Sequence, residues 1–197
     1  MRLLYSKPSP YSSKVRMAAI RCGFELELVP TDTGAEGEEL LGANPVGKIP
    51  ALVTDDGTTV YDSRVICEYL DRLSGNLLIP QTTEGWLRAK RTEALADATA
   101  EAFMAILYEH RYRPEDKRHG PWIEKQERRG QRCLAALARQ VDELSGEPDI
   151  GHFALSSDLA WLNLRFETAL ADHEALRHWL DAFFDAQPQY AAVRPQA

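Results

Sequence analysis

Cysteine is scarce in this sequence, and its placement excludes two kinds of small protein. The 197 residues contain three cysteines, Cys22, Cys67 and Cys133. They are far apart, odd in number and without the short spacings of metal ligands, so neither a disulfide framework nor a metal site is expected. Each lies among apolar neighbours, and we interpret all three as buried thiols of a protein in a reducing compartment.

Long apolar runs are also missing. No segment approaches the roughly 18 residues that a membrane span needs. The first apolar run, Leu3-Leu4-Tyr5, gives way at once to Ser6 and Lys7, so it cannot form a signal-peptide core. We therefore expect a cytoplasmic protein with no membrane partner.

An excess of positive charge is absent as well. The chain carries 23 Lys and Arg against 30 Asp and Glu, a net charge of −7 at pH 7. A general nucleic-acid binder needs a basic face to displace counterions from phosphates, so no nucleic-acid partner is expected. The most basic segment, residues 115–132, interleaves cations with Glu and Asp, and we interpret it as a solvated helix face.

The first part of the chain, to about Pro80, alternates short β-like runs with helical ones. Such an order, βαβ followed by ββα, predicts a mixed sheet covered by helices, an α+β arrangement. The runs are a strand at Leu3–Tyr5, a helix from Ser12 to Cys22 ended by Gly23, a strand at Leu26–Val29, two strands flanking Asp55-Asp56-Gly57, and a helix from Asp62-Ser63 to about Ser74.

Strand signals vanish after Gly85, and apolar residues then recur at helical spacing, which predicts an all-helical second half. The acidic and glycine-containing stretch at residues 36–39 is expected to form a loop. The helical series are Leu87, Ala94, Ala98, Ala102 and Ala105; Ile123, Leu134, Leu137, Val141 and Leu144; and Leu159, Leu162, Phe166 and Leu170, continued by Leu176, Trp179, Leu180 and Phe183.

Three segments of the first half offer polar or backbone groups at helix and strand ends. Ser9 opens the first helix, where unpaired N–H groups and the helix dipole favour an anion. Pro50 directly precedes a strand, and we predict a cis-proline that exposes the backbone of Ile49. Asp62 and Ser63 provide a carboxylate, a hydroxyl and free N–H groups at the start of another helix.

Taken in order, these segments resemble those of cytosolic glutathione transferases of the bacterial, serine-type kind. The matching motifs are S-P-Y-S-S-K-V-R from Ser9, N-P-x-G-K-x-P from Asn44, and D-S-x-x-I from Asp62. The resemblance spans essentially the whole chain. It implies a thioredoxin-like glutathione-binding domain, residues 1–80, and an all-α domain, residues 81–197, that lines the second-substrate pocket and takes part in a homodimer.

The resemblance also implies which residues hold glutathione, the expected co-substrate. The backbone of Ile49 before Pro50 would pair with the cysteinyl part of the tripeptide. Asp62 and Ser63 would hold its γ-glutamyl end, and Lys48 would face its glycyl carboxylate. No metal is implied.

The motif Ser9-Pro10-Tyr11-Ser12 has the form of a dithiol redox motif in which oxygen replaces both sulfurs. A hydroxyl cannot exchange disulfides, but it can donate a hydrogen bond to a thiolate that the ligand supplies. Because a free thiol has a pKa of about 8.5, hydrogen bonding to the charged form increases the ionised fraction. Ser9 is thus the catalytic candidate. Tyr5 is the runner-up, since several branches of the family use a tyrosine at the end of the first strand.

The expected activity is conjugation of glutathione to small apolar electrophiles or their reduction. Two alternatives stay open: a low-turnover glutathione-binding or protein-interaction module, and a glutathione-dependent isomerase or dehalogenase. The residues predicted to border the second-substrate pocket are Pro10, Tyr11, Met104, Tyr108, Arg111 and Tyr112.

One segment departs from the family pattern. The family usually carries a Ser/Thr-x-x-Asp capping box at the start of a buried helix in the second domain. Here Leu155 stands three residues before Asp158. Asp158 is therefore expected near a helix N-terminus, without the reciprocal hydroxyl bond.

Overall fold

The computed structural model describes all residues from 1 to 197, with four strands and eight α-helices. The order of these elements confirms the predicted α+β half followed by an all-helical half. In chain order they are β1 (Arg2–Tyr5), α1 (Pro10–Cys22), β2 (Glu27–Pro30), α2 (Glu38–Ala43), β3 (Ala51–Val53), β4 (Thr59–Val60), α3 (Ser63–Leu73), α4 (Thr83–Tyr112), α5 (Gly120–Ala138), α6 (Ile150–Arg165), α7 (Glu174–Ala186) and α8 (Pro188–Ala191).

The four strands form one mixed sheet in the order β2-β1-β3-β4. β1 runs parallel to β2 and antiparallel to β3, and β3 runs antiparallel to β4. The parallel pair needs a crossover, which α1 supplies, whereas β3 and β4 are joined directly by the hairpin around Gly57. This is the mixed sheet of a thioredoxin-like domain.

The first helix begins two residues before the predicted start. Pro10 takes its first position, where the missing N–H of proline costs nothing, and Ser9 provides the cap. Gly23 ends the helix with φ 77°, a left-handed conformation that glycine adopts without strain. Because α1 packs against both α3 and α6, residues on most of its sides are buried.

A short helix, α2, lies where the sequence predicted part of a loop. Its six residues are too few to show a helical period, and Gly42 lowers the helix propensity. Glu38 and Glu39 occupy the first turn, where negative charge is favourable. Leu40 and Ala43 are buried in a small apolar cluster beside β3.

The apolar face predicted for α4 is buried only in part: Ala102 is buried, Ala98 and Ala105 are partly buried, and the N-terminal end of the face is exposed. Leu87 is 51% exposed, and Ala94 is exposed as well. The helix instead buries a face that includes charged side chains, so apolar spacing alone could not identify it. The buried residues are Ala89, Thr92, Glu93, Ala96, Asp97, Thr99, Ala100, Ala102, Phe103, Ile106 and Glu109.

The start of α6 also differs from the expectation. The helix begins at Ile150, so Asp158 lies in its interior rather than near its N-terminus. Asp149 is the cap, and its carboxylate accepts from the N–H groups of Gly151 and His152 at 2.9 and 3.3 Å. Nδ1 of His152 lies 2.8 Å from Oδ1 of Asp149 and 3.2 Å from the backbone N of Asp149. A protonated Nδ1 donates to the carboxylate, and an unprotonated Nδ1 accepts from the N–H to complete a capping box.

A single core joins the two halves of the chain. One cluster of 37 buried apolar residues extends from Leu3 in β1 to Tyr190 in α8. Cys22 and Cys67 are buried as interpreted, whereas Cys133 is only partly buried. No helix combines the length and the apolarity that crossing a membrane requires.

The cap of α6 generates a stability prediction. Burial opposes ionisation of Asp149, but the hydrogen bond and charge of His152 and the charge of Arg88 outweigh it and lower the pKa of this carboxyl. We expect Asp149→Ala to lower the free energy of unfolding by about 1–2 kcal/mol at neutral pH, measured by urea denaturation.

The isosteric variant Asp149→Asn keeps a hydrogen-bond acceptor, so its free energy of unfolding should fall less than that of Asp149→Ala. Because the folded pKa is depressed, the stabilisation by charge is present above the unfolded pKa and is lost as the pH falls through the folded pKa. The difference in stability between the wild type and Asp149→Asn should therefore shrink towards acid pH. A difference that stays constant over that range would contradict the role of the charge.

Candidate functional site

The register of the sheet brings the three predicted segments to one edge. Leu4 in β1 lies opposite Ala51 in β3, so the end of β1, which leads to Ser9, is beside the residue before β3, Pro50. Leu52 in β3 lies opposite Val60 in β4. The chain leaving β4 towards Ser63 therefore reaches the same edge, because neighbouring antiparallel strands start and end together.

Ser9 lies at the positive end of α1. Its Oγ accepts a hydrogen bond from the N–H of Ser12 at 3.1 Å, and its backbone is extended. A hydroxyl that accepts one bond still has its own proton to donate. Ser9 is partly exposed, so this donor can reach a ligand.

Tyr5, the alternative hydroxyl, is enclosed by the core. Its side chain is 6% exposed and belongs to the main apolar cluster. The guanidinium carbon of Arg16 lies 5.3 Å from the ring centroid, a cation–π arrangement. These contacts are those of a packed strand aromatic, and Ser9 is the more accessible of the two groups.

The C-terminal segment braces the loop and helix that present Ser9. The N–H of Gln196 donates to the carbonyl of Lys7 at 3.1 Å. One turn into α1, Ser13 donates to the carbonyl of Val193 at 2.9 Å. No signal in the sequence pointed to these contacts, because the partners are 180 and 189 positions apart in the chain.

The turn before β3 is organised by Asn44, which sequence reasoning did not single out. Its side-chain amide donates to the carbonyl of Lys48 at 2.8 Å, and its Oδ1 accepts from the N–H of Val46 at 3.0 Å. An asparagine before a proline is a known signal for such a turn. The Ile49–Pro50 bond is cis, as predicted, and the side chain of Lys48 is exposed.

The start of α3 has the predicted form. Asp62 is the cap, and its Oδ1 accepts from the N–H of Arg64 at 3.0 Å. The peptide bond between Tyr61 and Asp62 is cis. Asp62 is exposed and Ser63 is buried at the edge of the sheet described above.

A buried ion network lies behind these segments. Lys14 of α1 is 1% exposed, and its Nζ lies 2.8 Å from Oδ1 of Asp97 and 3.3 Å from Oε1 of Glu93. Nε of Arg64 lies 2.7 Å from the other oxygen of Asp97. The two helices whose first residues are Pro10 and Ser63 are thereby held to the same carboxylate of α4.

The opposite charges of this network stabilise the ionised form of Lys14. Burial opposes the charge of Lys14, but Asp97 and Glu93 outweigh that effect and raise the pKa of its ammonium group. Sequence reasoning missed the network. Its signals were a pair of acids four residues apart on α4, Glu93 and Asp97, and a lysine on the buried side of α1.

Asp158 lies close to the network without a counter-ion of its own. Its carboxyl is 2% exposed, and Oδ2 has no hydrogen-bond partner. Burial, followed by the charge of Asp97, raises the pKa of Asp158 well above its usual value. Burial therefore shifts the balance of this side chain from the carboxylate towards the neutral acid.

The residues predicted for the second-substrate pocket lie on two helices. Pro10 is buried and Tyr11 is partly buried at the start of α1. Burial and then the charges of Asp158, Asp97 and Glu101 raise the pKa of the Tyr11 phenol. Met104, Tyr108, Arg111 and Tyr112 follow Asp97 and Glu101 at helical spacing, and the rings of Tyr108 and Tyr112 are 5.4 Å apart.

No group of three His, Cys, Asp or Glu side chains is arranged to hold a metal ion. The chemistry available at the edge of the sheet is that of hydroxyls, backbone groups, Asp62 and the start of α1. Such a set can bind a zwitterionic, peptide-like ligand and stabilise an anion on it.

Known proteins are similar to this chain in both sequence and fold. The model of the glutathione S-transferase N-terminal domain matches residues 8–73. A glutathione S-transferase of Methylobacillus flagellatus, solved with glutathione bound, is 31% identical, with 99% of each chain covered and a TM-score of 0.90. A glutathione transferase family member from Pseudomonas fluorescens, also with bound glutathione, is 32% identical over 100% of this chain and 99% of that one, with a TM-score of 0.90. The chain belongs to the glutathione S-transferase family.

A curated relative in the same family is less similar. The uncharacterized GST-like protein YibF of Escherichia coli is 25% identical over 169 residues, which cover 84% of this chain and 83% of that protein. Its name assigns it no reaction. Membership of the glutathione S-transferase family therefore establishes the fold of this chain. Its substrate has to be argued from the site.

The buried acid of this family member provides a second stability prediction. Because the folded pKa of Asp158 is raised, its contribution opposes folding increasingly as the pH rises above the unfolded pKa. Asp158→Asn mimics the neutral acid and should stabilise the protein at neutral pH, with little effect below the unfolded pKa. Thermal or urea unfolding of both proteins, from below the unfolded pKa to neutral pH, measures this difference in stability. Equal stabilities of the two proteins at all pH values would contradict the argument.

Proposed function

We propose that this protein is a glutathione transferase that activates the thiol of glutathione for conjugation to, or reduction of, small apolar electrophiles. The observation that carries the proposal is the sheet register, which sets the turn at Ser9, the turn at Pro50 and the start of α3 along one edge. This end of the sheet offers the Ser9 hydroxyl at a helix N-terminus, the backbone of Ile49 before β3, and the start of α3. Together they provide polar contacts for the successive residues of a tripeptide.

In this proposal residues 1–80 bind glutathione and residues 81–197 line the second-substrate pocket. Support for the division comes from the positions of the elements, since all four strands end by Val60 and only helices follow Thr83. The continuous core means that the two domains fold as one packed body rather than as independent units. We also propose that the protein acts in the cytoplasm.

The ligand would lie along the edge of the sheet. The backbone of Ile49 would pair with the cysteinyl residue of glutathione, as a strand does with its neighbour. Asp62 and Ser63 would hold the γ-glutamyl end, and the exposed ammonium of Lys48 would face the glycyl carboxylate. Arg64 is anchored on Asp97 at 2.7 Å, so the start of α3 is held in place before the ligand arrives.

Ser9 would act on the sulfur. Its Oγ already accepts from Ser12, which leaves its proton to donate to a thiolate. Hydrogen bonding to the charged form and the positive end of α1 both lower the pKa of the bound thiol. Each unit by which that pKa falls corresponds to roughly 1.4 kcal/mol of differential stabilisation of the thiolate.

The second substrate would bind between the start of α1 and the last turns of α4. Tyr11, Met104, Tyr108 and Tyr112 offer aromatic and thioether surface, which favours an apolar electrophile. Pro10 would shape the floor of this pocket beside Ser9, and Arg111 stands at its exposed side.

A homodimer is part of the proposal. Apolar side chains on α3 and the first half of α4 are half exposed: Val65 and Trp86 at 50%, and Leu73 and Leu87 at 51%. Ala94 continues this surface along α4. We propose that a second copy covers it, which would explain why an apolar series typical of a buried face lies on the outside of the single chain.

The first test of the function separates the two hydroxyls. Ser9→Ala should raise the pKa of bound glutathione towards its value in solution and lower turnover with a generic electrophile near neutral pH. Because a thiolate forms unaided at high pH, the rate should partly recover there. Tyr5→Phe should leave the pKa of the thiol unchanged. Ultraviolet absorbance of the thiolate, titrated against pH with glutathione bound, measures this pKa.

Ser63→Ala is the matched control, since it removes a hydroxyl of the same size from the proposed γ-glutamyl site. It should weaken glutathione binding in calorimetry more than Ser9→Ala does, while leaving the pKa of the bound thiol unchanged. If the wild type bound no glutathione at millimolar concentrations, the protein would be an interaction module and the enzyme proposal would fail. A pKa that moved only in Tyr5→Phe would transfer the catalytic role to Tyr5.

The dimer is tested by placing a charge in the proposed interface. The chain has a mass of 22.2 kDa, so light scattering should give about twice this value for the wild type. Leu87→Glu should shift the mass to that of one chain, because an unpaired carboxylate would be buried in the interface. Ile20→Glu, a similar change at a partly exposed residue of α1, should leave the dimer intact. A wild type that scatters as a single chain would refute the proposal.

A further inference from the structure

The hydroxyl of Ser13 is buried in the first turn of α1, four positions after Ser9. The residue is 2% exposed, and its backbone N–H donates to the carbonyl of Ser9 at 3.1 Å. The proposed contacts to glutathione do not use this hydroxyl. Because a buried hydroxyl needs hydrogen-bond partners, the groups that it meets show what the first turn of α1 is attached to.

Ser13 connects α1 to two distant parts of the chain. Its Oγ donates to the carbonyl of Val193 at 2.9 Å and accepts a longer bond from Oγ of Ser157 in α6, at 3.4 Å. Ser157 is fully buried. The Ser13 hydroxyl thus uses its proton and one lone pair at the same time, which fixes the orientation of its side chain.

The C-terminal segment, residues 193–197, also reaches the other side of Ser9. The N–H of Gln196 donates to the carbonyl of Lys7 at 3.1 Å. Lys7 lies in the turn that the N–H of Ser9 closes by donating to the carbonyl of Ser6 at 3.2 Å. The segment is therefore attached both before and after the proposed catalytic hydroxyl.

This segment is itself anchored in the core of the helical half. Tyr190, just before it, is 4% exposed, and its ring meets that of Phe153 edge-on, with 4.7 Å between the centroids. Pro195 is buried, and the guanidinium carbon of Arg194 lies 6.0 Å from the ring centroid of Phe184. The end of the chain is thus tied down and can act as a support.

Apolar burial alone does not account for the order of this segment. Arg194, Gln196 and Ala197 are exposed, so they remove little apolar surface from water. Ordering them still costs backbone entropy. The hydrogen bonds that the segment forms with the first half of the chain go to Ser13 and Lys7, the residues on either side of Ser9.

We propose that Ser13 is a positioning residue, which together with the C-terminal segment holds Ser9 where its hydroxyl meets the sulfur of glutathione. This inference rests on the proposed function, in which Ser9 donates to the thiolate. Displacing a reacting group by about 1 Å costs about 100-fold in rate, so a support on both sides of Ser9 acts on catalysis. Ser13 itself does not touch the ligand.

Two substitutions each remove one of the attachments. Ser13→Ala removes the bond to Val193, and Gln196→Pro deletes the N–H that donates to Lys7, at an exposed chain end where the core stays intact. Each should raise the pKa of the bound thiol by at least about half a unit, which corresponds to a roughly threefold lower ratio of thiolate to thiol. The measurement is thiolate absorbance, titrated against pH with glutathione bound.

Matched controls separate this effect from general damage. Gln196→Ala keeps the backbone N–H and should leave the pKa of the bound thiol unchanged. Ser156→Ala removes a buried hydroxyl of α6 whose partners are Met17 and Phe153, and it should also leave that pKa unchanged. In a Ser9→Ala background, Ser13→Ala should raise the pKa no further, because Ser13 acts only through Ser9.

Calorimetry at acid pH, where the thiol of glutathione is protonated, tests binding apart from ionisation. Ser13→Ala and Gln196→Pro should bind glutathione there as tightly as the wild type does, and weaker binding would contradict a positioning role. An unchanged thiol pKa in Ser13→Ala would overturn the role of Ser13, and an unchanged pKa in Gln196→Pro would exclude the C-terminal segment from it. A wild type that binds no glutathione would instead refute the proposed function itself.

Discussion

The arrangement of this protein depends on the buried ammonium group of Lys14. A lysine that is 1% exposed must have carboxylates beside it, because an unpaired buried charge costs about 3–5 kcal/mol or more. Asp97 and Glu93 meet this requirement, and they can do so only if α4 lies near enough to α1 for the side chains to reach each other. Arg64 then shares Asp97, which sets the start of α3 relative to the start of α1.

The consequence is that the two halves cannot be separated without exposing charges as well as apolar surface. Lys14 belongs to the first half and its acids to the second, and the apolar cluster is continuous between them. The edge of the sheet that presents Ser9 and Ser63 is therefore supported from behind by helices of the other half. A site that must hold a flexible tripeptide gains from such support, since its groups are ordered before the ligand binds.

Much of the first half was predictable from its sequence. The turn at Gly23, the hairpin at Gly57, the cis bond before Pro50 and the cap at Asp62 each depend on residues adjacent in the chain, and all four are present. The predictions failed where the buried side chains are polar or charged, or where the helix is short. α2 has too few residues to show a period, and the buried face of α4 includes Glu93 and Asp97, which a search for apolar spacing passes over.

By itself the sequence determined the family, the order of the elements and the three segments at the edge of the sheet, because their motifs are local and their spacing is characteristic. Only the tertiary structure decided that Tyr5 is enclosed while Ser9 is accessible, that α6 is capped by Asp149 and buries Asp158, and that Leu87 and Ala94 of α4 are left outside. Those outcomes depend on pairs far apart in the chain, such as Lys14 and Asp97, which are 83 positions apart. No local pattern encodes which distant carboxylate will meet a buried lysine.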